Sequence, residues 1–379
     1  MNETNSFSML PEQLLSKLKE LNITSPTKVQ EKVIPQIIEG KNIIFQSETG
    51  TGKTFAYLLP ILKKIMEQPV PSNPSDIFVK AVIAAPTFEL ASQINQSVKN
   101  ISGIKTALFL GGAPIKRQLE ILKEKPEIVI GTESRLVELI RLKKLKIARI
   151  MFAVFDEADR LVKKEMKADT LALKNEIPSG AQIIACTATI DKDTKKFFSD
   201  FETEILPEED VLKRNISHWA IYAEYRDKID TLRKFLTAEN PGKALVFTSR
   251  ADQVENICSK LRYKKIDCMA LHAKADKVQR KAAIDRFRSG KAKILITSDL
   301  SARGLDIQNI THVIQMDLPQ DRDFFIHRAG RTARAGKTGI NVVIGDEYEM
   351  RQFALLEKKL GITVYPKEIR EGKVVSPEL

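Results

Sequence analysis

Cysteine is scarce in this chain: Cys186, Cys258 and Cys268 are the three in 379 residues, and they include no CxxC pair. With four scattered histidines, that leaves no cluster spaced for a metal and excludes a disulfide-built scaffold, so free buried thiols in a reducing compartment are expected. No apolar run approaches bilayer-spanning length, and the start Met1-Asn2-Glu3-Thr4-Asn5 lacks the basic and apolar pattern of a signal segment. A cytoplasmic protein with no membrane contact is therefore expected. Short repeats and low-complexity tails are also missing, which excludes a solenoid or a disordered arm.

What remains is the composition of a globular protein, 43% hydrophobic and 29% charged, in a chain longer than one core usually fills. Two domains are the expectation. The formal charge of +12 points to a polyanionic partner, although surplus lysine often only solubilises a surface. Residues 217–379 carry 30 Lys and Arg against 21 Asp and Glu, while residues 1–216 carry 31 against 28. The basic excess thus belongs to the second half. Aromatics are only 6%, but phosphate contacts dominate nucleic-acid affinity without needing them.

Strand-like apolar runs recur at Asn42–Phe45, Phe78–Ala85, Thr106–Leu110, Glu127–Ile130, Met151–Phe155 and Gln182–Cys186, separated by helix-compatible stretches. That rhythm is the pattern of a parallel sheet with helices on both faces. It stops near Phe201, and the stretch from Glu202 to Asn215, with Pro207, reads as a linker. A second series follows at Ala244–Thr248, Asp267–Leu271, Lys293–Ile296, His312–Met316 and Asn341–Ile344. The spacing predicts two α/β domains in tandem, 1–204 and 217–379, joined by 205–216.

Ser47-Glu48-Thr49-Gly50-Thr51-Gly52-Lys53-Thr54 follows an apolar strand and precedes a helix-like run from Phe55 to Met66. That order suits a phosphate cradle of backbone N–H groups and one ammonium. Val154-Phe155-Asp156-Glu157-Ala158-Asp159 ends another apolar strand with carboxylates at its tip, able to hold Mg²⁺ and orient a water. Either string alone can be an ordinary turn. Together they supply both halves of ATP hydrolysis. In the second half, His327-Arg328-Ala329-Gly330-Arg331-Thr332-Ala333-Arg334 repeats arginine every third residue. A solvated basic helix face is the plain explanation. The small residues Gly330 and Ala333 would also let another domain approach, which favours arginine fingers reaching a γ-phosphate.

In this order the motifs resemble those of the DEAD-box RNA helicases over nearly the whole chain, as in a compact bacterial two-domain member. The resemblance implies two tandem RecA-like domains, each a mostly parallel sheet with helices on both faces. It further implies an ATP and Mg²⁺ site in which Phe7 stacks on the adenine and Gln30, in Pro26-Thr27-Lys28-Val29-Gln30, bonds the base edge. Ser47, Thr49, Gly50, Thr51, Gly52 and Lys53 cradle the phosphates, and Thr54 and Asp156 hold Mg²⁺. Glu157 polarises the attacking water, Asp306 meets the ribose, and Arg331 and Arg334 meet the γ-phosphate. Asp159, Thr187, Thr189 and His327 carry the coupling between the sites, with Thr187 where the family has serine.

For RNA the resemblance implies contacts from Thr87, Gly112, Thr132, Arg135, Arg280, Ser298 and Gly304. Several neighbours depart from the family pattern: Phe88 stands for arginine, Glu133-Ser134 for Pro-Gly, Ser298 for threonine and Lys277 for glutamine. The expected function is an ATP-dependent RNA helicase that hydrolyses ATP on RNA-induced closure and locally unwinds short duplexes or remodels RNA–protein complexes, for example in ribosome assembly. Backbone-directed single-stranded or short duplex RNA, ribosomal particles and a monomeric state are expected. An RNA clamp with little turnover and a DNA-directed helicase remain the alternatives.

Overall fold

The computed structural model describes residues 5–47, 52–69, 73, 77–112, 114–199, 203–206, 211–272, 275–299, 307–333 and 337–378. The chain divides into two compact units between Glu209 and Asp210. In the first, the strands are β1 (Asn42–Gln46), β2 (Ala81–Ala84), β3 (Thr106–Phe109), β4 (Ile128–Gly131), β5 (Phe152–Asp156), β6 (Gln182–Thr187) and β7 (Thr203–Leu206). They form one sheet in the order β3-β4-β2-β5-β6-β1-β7, every neighbouring pair parallel.

Period-two alternation sends successive side chains to opposite faces, and here both faces are apolar. Ile43, Phe45, Phe152, Val154 and Ile184 join one core, packed under helices Glu12–Glu20, Lys28–Ile38, Lys53–Met66 and Phe88–Ile101. Ile44, Ala153, Phe155, Ile183 and Ala185 join the other, under helices Glu133–Arg141 and Lys167–Glu176. The parallel order delivers every loop that follows a strand to one edge, where open α/β sheets bind their ligands.

The second unit contains β8 (Ile216–Tyr222), β9 (Ala244–Thr248), β10 (Met269–Leu271), β11 (Ile294–Ser298), β12 (His312–Gln315), β13 (Gly339–Gly345), β14 (Val364–Arg370) and β15 (Lys373–Val375). Their order is β10-β11-β9-β12-β13-β8-β14-β15, parallel except for the antiparallel β14/β15 pair. Each unit is thus a RecA-like layer of mostly parallel strands between helices. All three cysteines are buried and free.

The strand rhythm does not end near Phe201. β7 pairs with β1, the helix Val211–Arg214 follows, and β8 starts at Ile216, so much of the stretch read as a linker is regular structure. β7 is an edge strand that begins Thr-Glu, and such a strand depends on backbone pairing with its neighbour more than on a two-faced apolar pattern. Pro366 similarly hides β14, which is tolerated beside β15 at the margin of the sheet.

Candidate active site

In the first unit β5, β6 and β1 are adjacent, and their carboxyl ends bring together Asp156, Thr187 and the loop after Gln46. Ser47 is fully buried, and its N–H donates to the Thr187 carbonyl at 2.9 Å. Gly52 opens the helix Lys53–Met66 at φ +93, a left-handed turn that favours glycine. An added Cβ would stand 2.5 Å from Gln30 Nε2, so the close approach needs glycine as well. Gln30 is 2% exposed; its Nε2 donates to the Gly52 carbonyl at 3.1 Å and its Oε1 accepts from the Thr27 N–H at 2.9 Å. The glutamine therefore staples the loop's exit to the start of helix Lys28–Ile38. Phe7 lies 5% exposed inside the first apolar core, so its ring is packed and not displayed.

Lys53 is 9% exposed, and its Nζ has no hydrogen-bond partner among the described residues. A buried ammonium of this kind is costly unless an anion meets it. Asp156, 3% exposed, accepts from Tyr57 Oη at 2.8 Å, from the Cys186 thiol at 3.0 Å and from the Glu157 N–H at 2.9 Å. Burial raises its pKa, against these donors and the Lys53 charge. The same burial, with Asp156 alongside, pushes the Tyr57 phenol and the Cys186 thiol well above their usual ranges, so both remain donors. Among the described residues no three His, Cys, Asp or Glu converge on a metal. Asp156 and the Thr54 hydroxyl are oxygen donors of the kind that would hold a Mg²⁺ ion.

Glu157 follows at φ +50 and 8% exposed, accepting from Arg160 Nη1 at 3.1 Å. Beyond it, Thr187 Oγ1 donates to the Thr189 carbonyl at 2.7 Å and accepts from the Asp159 N–H at 3.3 Å. Thr189 Oγ1 in turn donates to Asp159 Oδ2 at 3.0 Å. The hydroxyl at 187 is thus fully used, and its methyl group is accommodated in a buried site.

β3, β4 and β2 form the other half of the same sheet, with Gly131 in register with both Phe109 and Ala84. Thr87, Gly112 and Thr132 follow these strands and so line one edge. Thr87 caps helix Phe88–Ile101 by accepting from the Leu90 N–H at 3.2 Å, while Phe88 is 56% exposed. Gly112 sits at φ +75. Arg135 is buried and pairs with Glu138 at 2.9 Å.

In the second unit the helix Arg322–Ala329 ends before Arg331, so Arg328 and Arg331 do not share a helix face. Arg328 is 1% exposed and is not a finger. Its guanidinium donates to Asp299 at 2.6 Å, Ser249 Oγ at 2.8 Å, the Asp317 carbonyl at 3.0 Å and Gln315 Oε1 at 3.3 Å. His327 is half-buried on the same helix, and Arg331 is 9% exposed just beyond its end. Ser298, 3% exposed, closes β11, and Arg280 is half-buried on helix Lys277–Arg288. Thr49, Gly50, Thr51, Gly304, Asp306 and Arg334 lie outside the described residues.

Residues 27–197 match the DEAD/DEAH box helicase model and residues 227–336 match the helicase conserved C-terminal domain. The chain belongs to the DEAD/DEAH box helicases. It is 38% identical to the DEAD-box ATP-dependent RNA helicase CshC of Bacillus cereus, over 92% of this chain and 89% of that protein. It is 36% identical to the probable ATP-dependent RNA helicase YfmL of Bacillus subtilis, over 92% of each. Among solved structures, S. cerevisiae Dbp5 bound to RNA and ADP BeF3 superimposes with a TM-score of 0.81 at 25% identity, over 96% of each chain. Among the described residues no helix of this helicase is long and apolar enough to cross a membrane.

Sequence reasoning missed the shell around these motifs. Tyr57 lies four residues after Lys53 on one helix face, and Cys186 is in register with Asp156. Both positions become signals only once the helix and the strand pairing are known. Glu133, noted only as a departure from Pro, is 5% exposed at the start of helix Glu133–Arg141, and its Oε2 has no hydrogen-bond partner among the described residues. Burial, with a smaller push from Asp169, raises its pKa to about 7.

The folded helicase therefore binds more protons at Glu133 than the unfolded chain does. This contribution to stability is full below the unfolded carboxyl range and is lost as pH rises through about 7. Glu133→Gln is expected to stabilise the first unit by about 3 kcal/mol at pH 8 and to have little effect at acid pH. Urea unfolding followed by circular dichroism at the two pH values checks this; equal shifts at both would contradict it.

Proposed function

We propose that this chain is an RNA-dependent ATPase that separates short RNA duplexes, or strips protein from RNA, by closing its two domains on nucleotide and strand. The observation that carries the reading is the buried ammonium of Lys53, without a hydrogen-bond partner among the described residues, beside the buried Asp156 carboxylate at the ligand-binding edge of a parallel sheet. Lys53 and the backbone leading to Gly52 hold the β- and γ-phosphates, and Gln30 supports that loop while reading the base edge, with Phe7 packed behind it. Thr54 and Asp156 hold Mg²⁺, which when bound neutralises charge on the phosphates. Glu157 orients the attacking water, and Arg160 aims its carboxylate.

Asp306 meets the ribose, and Arg331 and Arg334 bring positive charge to the γ-phosphate when the domains close. The Asp159–Thr187–Thr189 network and His327 link that closure to RNA. Thr87, Gly112, Thr132 and Arg135 of the first domain, with Arg280, Ser298 and Gly304 of the second, follow the RNA backbone without reading sequence. Support comes from relatives named as ATP-dependent RNA helicases and from Dbp5, whose structure is bound to RNA and ADP BeF3. The intact bonds of Thr187 weigh against a clamp with little turnover. A monomer working in the cytoplasm on ribosomal particles completes the reading.

Steady-state ATP hydrolysis, measured alone, with single-stranded RNA and with single-stranded DNA, tests it. Strong stimulation by RNA only is expected. Equal stimulation by both strands would replace the RNA reading with a DNA-directed one, and silence throughout would overturn the ATPase reading.

A further inference from the structure

Five residues of the second unit form one continuous, directed hydrogen-bond chain through its interior. Arg328 Nη1 donates to Gln315 Oε1 at 3.3 Å, and Gln315 Nε2 donates to Asn341 Oδ1 at 2.8 Å. Asn341 Nδ2 lies 3.2 Å from His218 Nδ1, and His218 Nε2 lies 3.0 Å from the Leu212 carbonyl. The direction of every link is determined by the ends. A guanidinium can only donate and a carbonyl can only accept, so both amides and the imidazole tautomer have one consistent arrangement, with Nε2–H donating and Nδ1 accepting. Burial lowers the His218 pKa to about 4, so the neutral imidazole this requires is the form present at neutral pH.

Gln315 and Asn341 are fully buried, and His218 and Arg328 are each 1% exposed. Four polar side chains, three of them on β12, β13 and β8 and the fourth on the helix Arg322–Ala329, are an expensive way to fill a core, because apolar residues of the same volume serve at least as well. Their ends suggest what they do. Leu212 lies on the helix Val211–Arg214, immediately after the boundary between the two units. Arg328 lies next to His327 on the helix that precedes Arg331, and it also grips Asp299 at the end of β11.

We infer that the Arg328–Gln315–Asn341–His218–Leu212 chain is a positioning device. It holds the leading helix of the second unit in one relation to the segment carrying His327 and Arg331, and thereby sets how strongly RNA binding raises ATP turnover. The inference rests on the RNA-dependent ATPase reading above. His218 is a positioning residue in it, since it acts only through its neighbours.

Two substitutions separate the chain from simple packing. In His218→Gln the side-chain amide offers an acceptor to Asn341 and a donor to Leu212 with spacing close to that of the imidazole. His218→Phe preserves the ring that stacks 5.9 Å from Phe325 but breaks both links. His218→Gln is expected to keep RNA stimulation. His218→Phe is expected to keep the RNA-free rate and lose at least about fivefold in the ratio of RNA-stimulated to unstimulated turnover. Should His218→Phe fail to fold, the triple variant Gln315→Leu, Asn341→Leu, His218→Phe removes the stranded amide donors and acceptors and is read in the same way. Wild-type stimulation in any folded variant without the chain overturns the inference. Absence of stimulation in the wild type would instead overturn the ATPase reading itself.

Discussion

Glu157→Gln is expected to bind ATP as the unaltered chain does and to turn it over about 10²–10⁴-fold more slowly, the range one positioned base contributes. Glutamine has the shape of the glutamate, and its carbonyl oxygen can still accept from Arg160 Nη1, which stands 3.1 Å from Glu157 Oε2. The backbone at φ +50 is equally accessible to either residue, so the turn after β5 is kept. Lys53, Thr54 and Asp156, the groups proposed to hold the phosphates and Mg²⁺, are untouched. What is lost is the negative charge proposed to polarise the attacking water. Equilibrium binding of a fluorescent ATP analogue, paired with single-turnover hydrolysis, separates the two effects. Hydrolysis at the wild-type rate would remove Glu157 from the mechanism, and lost binding would show that the carboxylate belongs to the nucleotide cradle.

Arg328→Leu is expected to destabilise the second unit by about 3–5 kcal/mol, as when one partner of a buried ion pair is removed. The guanidinium is 1% exposed and faces Asp299 and Asp317, so leucine would take this donor from the Asp299 carboxylate and the Gln315 carbonyl oxygen and leave Asp317 with only the N–H and hydroxyl of Ser249. Trp219 on β8 is the chain's single tryptophan and packs edge-on to Phe235 at 6.5 Å, which makes its fluorescence a report on this unit alone. Urea unfolding followed at Trp219 should shift to markedly lower denaturant. A loss below about 1 kcal/mol, the scale of an exposed pair, would mean that the two aspartates are solvated and the hub is not a buried ion pair.

Arginine at 328 and arginine at 331 look alike in the repeat, yet the structure buries the first as a hub at the end of its helix and places the second beyond that end. Local spacing could not separate them, because which side of a helix is buried depends on what packs there. Most of the central strands were legible, since a strand covered on both faces must be apolar at nearly every position, as in Phe152-Ala153-Val154-Phe155. β7, β8 and β14 were not: β7 is an edge strand, specified by its neighbour's free N–H and C=O groups, while Ser217 and His218 in β8 and Pro366 in β14 interrupt the apolar pattern.

The phosphate-loop string and the Asp156-Glu157 pair could be read directly because their chemistry is contiguous. A cradle needs adjacent N–H groups and an ammonium, and a metal site at a strand tip needs adjacent carboxylates. Their surroundings were set by tertiary structure. Asp156 takes its hydrogen bonds from Tyr57, 99 residues away, and Cys186, 30 residues away. The chain from Arg328 to Leu212 likewise draws on three separate strands. Neighbouring residues can define a reactive group, but its proton affinity, orientation and coupling depend on the low-dielectric interior that distant segments build around it.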